Sequence, residues 1–171
     1  MTTATSRSTE AEEILSTVED KFGFRPNLME EMIIAPAAVR TYLGGQDAMA
    51  DATLSPAQAQ AVQLAVASHN DCHYCGAVHS KMAGGSGVSG ADVERIAEGD
   101  LPEDPELRPV VDATRRVLEE RGWLDEEDLA ELSEAGVDRQ KLYEIIAFVG
   151  LKTISNYVNH IAGTEVDPQF R

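Results

Sequence analysis

Apolar residues in this chain recur every three or four positions, and no stretch alternates apolar and polar residues for more than a few positions. A helical period without a strand period restricts the chain to helix packed on helix. Ile14, Leu15, Val18 and Phe22 share one face of a helix predicted over 9–22, which Gly23-Phe24-Arg25-Pro26 breaks. Pro26 starts a short helix through Ile34. Pro36 starts another through about Ala52, with Val39, Leu43 and Met49 inward and a bend at Gly44-Gly45. Ser55 caps, and Pro56 begins, a helix to about His69 with Val62, Ala65 and Val66 on one side. Asn70-Asp71 interrupts it, and a further helix runs from Cys72 to about Ala83, ended by Gly84-Gly85-Ser86-Gly87. Ser89 caps a helix to Glu98, and 99–105 reads as a linker. Helices follow at about 105–121, 126–135 and 138–161, the last capped by Asp138. The predicted fold class is all-α, a compact helical bundle of about seven to nine helices. Residues 1–8 are expected to be disordered and 9–171 to form a single domain.

Composition agrees with that class and excludes several functions. Aromatics make up only 5% of the 171 residues, which favours close-packed helices over a β-sandwich. Thirty acidic residues against 14 basic ones give a net charge of −16. No basic footprint exists for nucleic acid or for an anionic membrane surface. The longest apolar run, 145–154, is short and contains Gly150 and Lys152, so no membrane span is expected. The first residues, Met-Thr-Thr-Ala-Thr-Ser-Arg-Ser, have no apolar core of a signal peptide, and a cytoplasmic location is expected. Only two cysteines occur, three residues apart, unlike the spread cysteines of a secreted disulfide scaffold. A close pair in a reducing compartment points to redox chemistry or to a metal.

The segment Cys72-His73-Tyr74-Cys75-Gly76-Ala77-Val78-His79 concentrates that chemistry. On a helix, Cys75 lies ~60° and His79 ~20° from Cys72, so the three project from one face. The ~4.5 Å rise between the cysteines permits a disulfide. His79, four residues beyond Cys75, is placed to exchange a proton with its sulfur. Asp71 as N-cap would put both thiols in the first turn, where free amides favour the thiolate, though its own charge opposes this. Three other readings compete. The cysteines could be structural. With His69 and His79 they could bind zinc, although ~15 Å of continuous helix between those histidines is too long unless the helix breaks at Asn70. A thioredoxin-like arrangement would need a preceding strand, and none is visible. His73 reads as a surface residue, and Tyr74 as one that packs rather than reacts.

The stretch Leu54 to Met82, with Cys-His-Tyr-Cys-x-x-x-His, resembles the core motif of the alkylhydroperoxidase D-like, or carboxymuconolactone decarboxylase-like, superfamily. It is most similar to the peroxidase-related branch that bears Cys-x-x-Cys. Phe24-Arg25-Pro26-Asn27-Leu28-Met29 resembles that branch's N-terminal segment, and Asn156 to Asp167 its C-terminal one. The resemblance implies an all-α homo-oligomer, often a trimer or hexamer. It also implies reduction of a hydroperoxide substrate by the cysteine pair, with an external dithiol restoring the pair and no cofactor. By position Cys75 would attack the peroxide, Cys72 would be the more exposed resolving thiol, and His79 would belong to a proton relay. That relay usually includes a Glu twelve residues before the first cysteine, where this chain has Gln60, an amide that cannot take a proton. The family's best-known member has His just before the second cysteine, where this chain has Tyr74. His69 and Asp71 are candidate substitutes, or His79 acts alone. Decarboxylating members generally lack the cysteine pair. The expected function is a thiol-dependent peroxidase working through a Cys72/Cys75 disulfide cycle. The alternatives are a redox-sensing or thiol–disulfide exchange protein without efficient turnover, which Gln60 motivates, and a metal-binding protein.

Overall fold

The structure, a computed structural model, describes residues 9–171, so the expected disorder of 1–8 lies outside the described residues. Local capping explains where its helices begin. Ser55 Oγ accepts from the Gln58 amide while the Gln58 side chain accepts from the Ser55 amide, a reciprocal cap that starts α4, Pro56–His69. Asp125 opens α8, Glu126–Glu134, in the same way with Asp128. Ser89 caps α6, Gly90–Ala97, and Asp138 caps α9, Arg139–Ala162. The remaining helices are α1 (Thr9–Phe22), α2 (Asn27–Met32), α3 (Pro36–Ala48), α5 (His73–Gly85) and α7 (Arg108–Glu119). Two 3₁₀ turns, Met49–Asp51 and Pro168–Phe170, complete the described residues, which contain no strand. The nine α-helices of the described residues thus form the all-α fold expected from the periodicity.

Three features of these helices differ from expectation for physical reasons. The helix α7 begins at Arg108 rather than near Pro105, because Asp104 accepts the Glu106 amide with its side chain and holds 104–107 in a turn. No bend separates α3 at Gly44-Gly45. The missing side chain at Gly45 instead lets Leu151 of α9 lie against the helix, where an added Cβ would collide with it. The helix α5 begins one residue later than expected, at His73, with Cys72 as its N-cap.

The sequence suggested a single buried face on α4. In the structure residues 61–67 of α4 are buried without interruption, Gln63, Leu64 and Ala67 included. A helix apolar on every side is satisfied only at the centre of a bundle. Accordingly α5, α6, α7 and α9 all pack around α4. Ile145 on α9 is wholly buried against α7 residues such as Val110 and Ala113, and truncating a side chain so placed to Ala costs ~2–5 kcal/mol.

Along α9 the inward face changes character. Leu142, Ile145 and Phe148 are apolar, and then Lys152, Ser155, Asn156 and Asn159 continue the same stripe as buried polar residues. That polar half of the stripe faces α4 and α5. No helix among the described residues is long and apolar enough to cross a membrane.

Candidate active site around Cys75

The turn between α4 and α5 sets the two thiols. The Cys72 amide donates to Ala67 O at 2.9 Å and the Asp71 amide to Ser68 O at 3.0 Å, the bond pair of a Schellman ending. Asp71 takes the left-handed position that such an ending requires, with φ of +52°. Asp71 is therefore the residue that closes α4, not the cap that opens α5. Cys72 follows in an extended conformation, and its carbonyl accepts the Gly76 amide to start α5. The thiols do not share a regular helical face as the sequence suggested. One belongs to the turn and the other to the first turn of α5.

Both cysteines are reduced and buried. Their environments push them apart. The Cys72 thiol donates to Cys75, which lowers the Cys75 pKa against the opposing effect of burial. The Lys152 charge, Ser155 Oγ at 3.8 Å and the Asn159 Nδ2 donor at 3.3 Å lower it further, to about 6. Cys72 shifts the other way, held as a thiol by that same bond to Cys75 and by burial. These shifts favour the thiolate form at Cys75 and the protonated form at Cys72.

His79 is buried, but its hydrogen bonds do not reach the sulfur. Its Nδ1 lies 2.9 Å from Gln60 Oε1 and its Nε2 lies 2.6 Å from Lys152 Nζ. An ammonium can only donate, so Nε2 is the acceptor, Nδ1 carries the ring proton, and Gln60 presents its carbonyl. Burial, with the Lys152 charge, holds the imidazole pKa well below its ordinary value. The expected proton exchange between His79 and Cys75 is replaced by a Gln60–His79–Lys152 chain. Lys152 itself is 1% exposed, lies 6.0 Å over the Tyr42 ring, and has no carboxylate partner among the described residues.

A cavity of about 420 Å³ opens onto Cys75, His79, Lys152 and Gln60. Its walls are apolar and partly aromatic, formed among others by Phe22, Phe24, Leu28, Met29, Tyr42 and Phe170. That volume suits a small organic molecule. Cys72 does not line it. Cys72 borders a separate depression with His73, Gly76, Ala77 and Ala97 on another face of α5, and the two depressions share no residue.

The remaining candidates fall elsewhere. His69 and Asp71 are exposed and line a third depression with Arg115 and Glu119, so neither joins the Cys75 cavity. The described residues contain no cluster of three or more His, Cys, Asp or Glu side chains able to hold a metal ion. Tyr74 packs, as its position suggested, and donates its hydroxyl to Asp167 Oδ2 at 2.6 Å. Asp167 Oδ1 also accepts the Asn27 amide, so the pair ties the C-terminal segment to α2 and α5. Sequence reasoning missed Lys152, Ser155 and Asn159 as contributors to the site. Their signal was present: polar residues at i, i+3 and i+7 continue the apolar stripe of α9.

Residues 35–102 match the model of the carboxymuconolactone decarboxylase family. No protein of curated function matches the chain by sequence. Among solved structures, a peroxidase-related alkylhydroperoxidase D core protein from Ralstonia eutropha JMP134 shares the fold, with a TM-score of 0.82. It is 21% identical, with 95% of this chain and 88% of that chain covered. A peroxidase-related protein from Silicibacter sp. TM1040 superposes with a TM-score of 0.79 at 16% identity, covering 98% of this chain and 90% of its own. The debrominase Bmp8 gives 0.67 at 18% identity over 94% of this chain and 87% of its own. A cysteine-to-alanine variant of Bmp8 has been solved with 2,3,4-tribromopyrrole. The family resemblance carried by the segment Leu54 to Met82 is thus found in the family match, and the alkylhydroperoxidase D fold extends over nearly the whole chain.

Proposed function

We propose that this chain is a thiol-dependent peroxidase that reduces organic hydroperoxides through a Cys72/Cys75 disulfide cycle. One observation carries the reading. The thiol facing a ligand-sized cavity is the one held as thiolate, and a proton-bearing thiol lies directly against it. Cys75 sulfur attacks the terminal oxygen of R–O–O–H, the S–O bond forms as the O–O bond breaks, and Cys75 becomes a sulfenic acid. The Cys72 sulfur then displaces hydroxide from that sulfenic acid, which leaves as water once the Cys72 proton is transferred, and a disulfide remains. An external dithiol returns both sulfurs to the reduced state and is itself oxidised. The apolar cavity wall favours a hydroperoxide with an organic body over hydrogen peroxide.

The test is to treat the reduced protein with cumene hydroperoxide. The expected product is a 72–75 disulfide by mass spectrometry. In Cys72→Ser the cycle is expected to stop at a Cys75 sulfenic acid that dimedone traps. A Cys75→Ser protein that consumes peroxide at the normal rate would overturn the assignment.

A second reading draws on the aromatic residues Phe22, Phe24, Tyr42 and Phe170 around the cavity and on the fold shared with Bmp8. There the thiolate would take bromine from a bromoarene, the ring carbon would gain a proton, and Cys72 would expel bromide to give the same disulfide. Bromide release from 2,3,4-tribromopyrrole without peroxide turnover would favour this reading over the first.

A further inference from the structure

The cycle needs a proton when the O–O bond breaks, since the departing oxygen leaves as an alkoxide. Groups around Cys75 are mostly unable to supply it. Both ring nitrogens of His79 are engaged, one donating to Gln60 and the other accepting from Lys152. Gln60 is an amide. The Tyr74 hydroxyl is committed to Asp167. Tyr42 meets Lys152 with its ring face. Lys21, which also lines the cavity, is paired with Asp47. The Cys72 proton is consumed in the second step.

We propose that Lys152 is the general acid of the peroxide step. This rests on the peroxidase reading and deepens it. Written in full, R–O–O–H with Cys75–S⁻ and Lys152–NH₃⁺ gives Cys75–SOH, R–OH and Lys152–NH₂. The O–O electron pair leaves on the alkoxide oxygen, which takes the lysine proton. Disulfide formation with Cys72 releases water and changes no charge. After the external dithiol has reduced the disulfide, the Cys75 thiol returns its proton to the Lys152 amine, and the starting pair is restored.

Charge balance carries the inference. Lys152 is a cation at 1% exposure, lining an apolar cavity and without a carboxylate partner among the described residues. An unpaired buried ion is strongly disfavoured, and among the described residues the Cys75 thiolate is the anion positioned to balance this cation. Oxidation of Cys75 removes that anion. If Lys152 kept its proton it would become an isolated charge, whereas giving it to the alkoxide keeps the site neutral at every stage. Lysine can make this exchange and arginine cannot. His79 is then a positioning residue, its Nε2 aiming the lysine both as ammonium and as amine. The Gln60 departure fits the same balance, because a carboxylate there would stabilise a protonated Lys152 after oxidation.

The experiment uses the full chain, reduced, at pH 8 in weak buffer with a pH indicator. One equivalent of cumene hydroperoxide is added, and proton uptake is counted against disulfide formed. Close to zero protons per disulfide is expected. Uptake of one proton per disulfide would overturn the role of Lys152 while leaving the peroxidase reading intact, and failure to form any disulfide would remove both. Two variants give an independent check. Lys152→Arg is expected to keep the wild-type pH midpoint of Cys75 alkylation by iodoacetamide, which needs no acid, and to lose ~100-fold or more in peroxide reactivity. Lys152→Met is expected to raise that midpoint as well. An arginine variant that reacts with peroxide at the wild-type rate would overturn the proposal.

Discussion

Cys75 takes its character from four neighbours on two segments of the chain: Cys72 in the preceding turn, and Lys152, Ser155 and Asn159 on α9. Each contribution is separable. Asn159→Ala removes the 3.3 Å donor, and a bond to a charged acceptor of ~1.5 kcal/mol corresponds to about one pH unit in the alkylation midpoint of Cys75, upward. Gln60→Glu is expected to move that midpoint in the same direction, because a carboxylate on His79 draws on the Lys152 charge that now favours the thiolate. An unchanged midpoint in Gln60→Glu would mean that Lys152 does not act on Cys75 through its charge. At this scale the sequence disclosed the two thiols and His79 through their close spacing, and Gln60 through the family resemblance, which places a relay residue twelve positions before Cys72. It hid Lys152. A single cation in an apolar helix reads as an interruption, and its partner His79 is 73 positions away.

The junction of α4 and α5 is the element on which the thiol geometry depends. Asp71 occupies the left-handed region, which costs a β-branched residue ~1–2 kcal/mol. Asp71→Val is therefore expected to lower stability by about that much in guanidinium unfolding. Asp71→Gly is expected to stay within about 1 kcal/mol of wild type with Cys75 reactivity intact. A valine variant as stable as wild type would show that the turn has another conformation. Gly45→Val is expected to push Leu151 away from α3, disturbing the helical turn that carries Lys152, and to slow Cys75 alkylation at pH 7. Caps such as Ser55, Ser89 and Asp138 were legible because side-chain chemistry alone specifies them. The role of Asp71 was not. Asp serves equally as an N-cap and as a left-handed closing residue, and only the path of the following chain decides between the two.

Over the whole molecule, the site links folding to pH. The Cys75 pKa is lowered on folding, to about 6, from an unfolded thiol value of about 8.5. A depressed value stabilises the fold fully above the unfolded pKa, and that stabilisation is lost as pH falls through the folded one. His79, also depressed, adds a loss below its unfolded value of about 6.5, because only the unfolded chain gains the proton readily. The thermal midpoint of the reduced protein is expected to rise between pH 5 and 8, and the rise is expected to be shallower in Cys75→Ser. A pH dependence identical in the two proteins would contradict the thiolate assignment. The bundle class was legible from periodicity because helices bury stripes. The central placement of α4 was less so, since a helix buried on all sides shows no stripe to read.

The two depressions on different faces of α5 have a kinetic consequence. In the proposed cycle the oxidant would reach Cys75 through one opening and the dithiol would approach Cys72 from another that shares no residue with it. In that cycle the two reactants would not compete for one vestibule. Steady-state turnover is expected to follow a double-displacement law with parallel reciprocal plots, and excess dithiol is not expected to inhibit. Inhibition by dithiol that is relieved by hydroperoxide would show that both reactants use the same entrance.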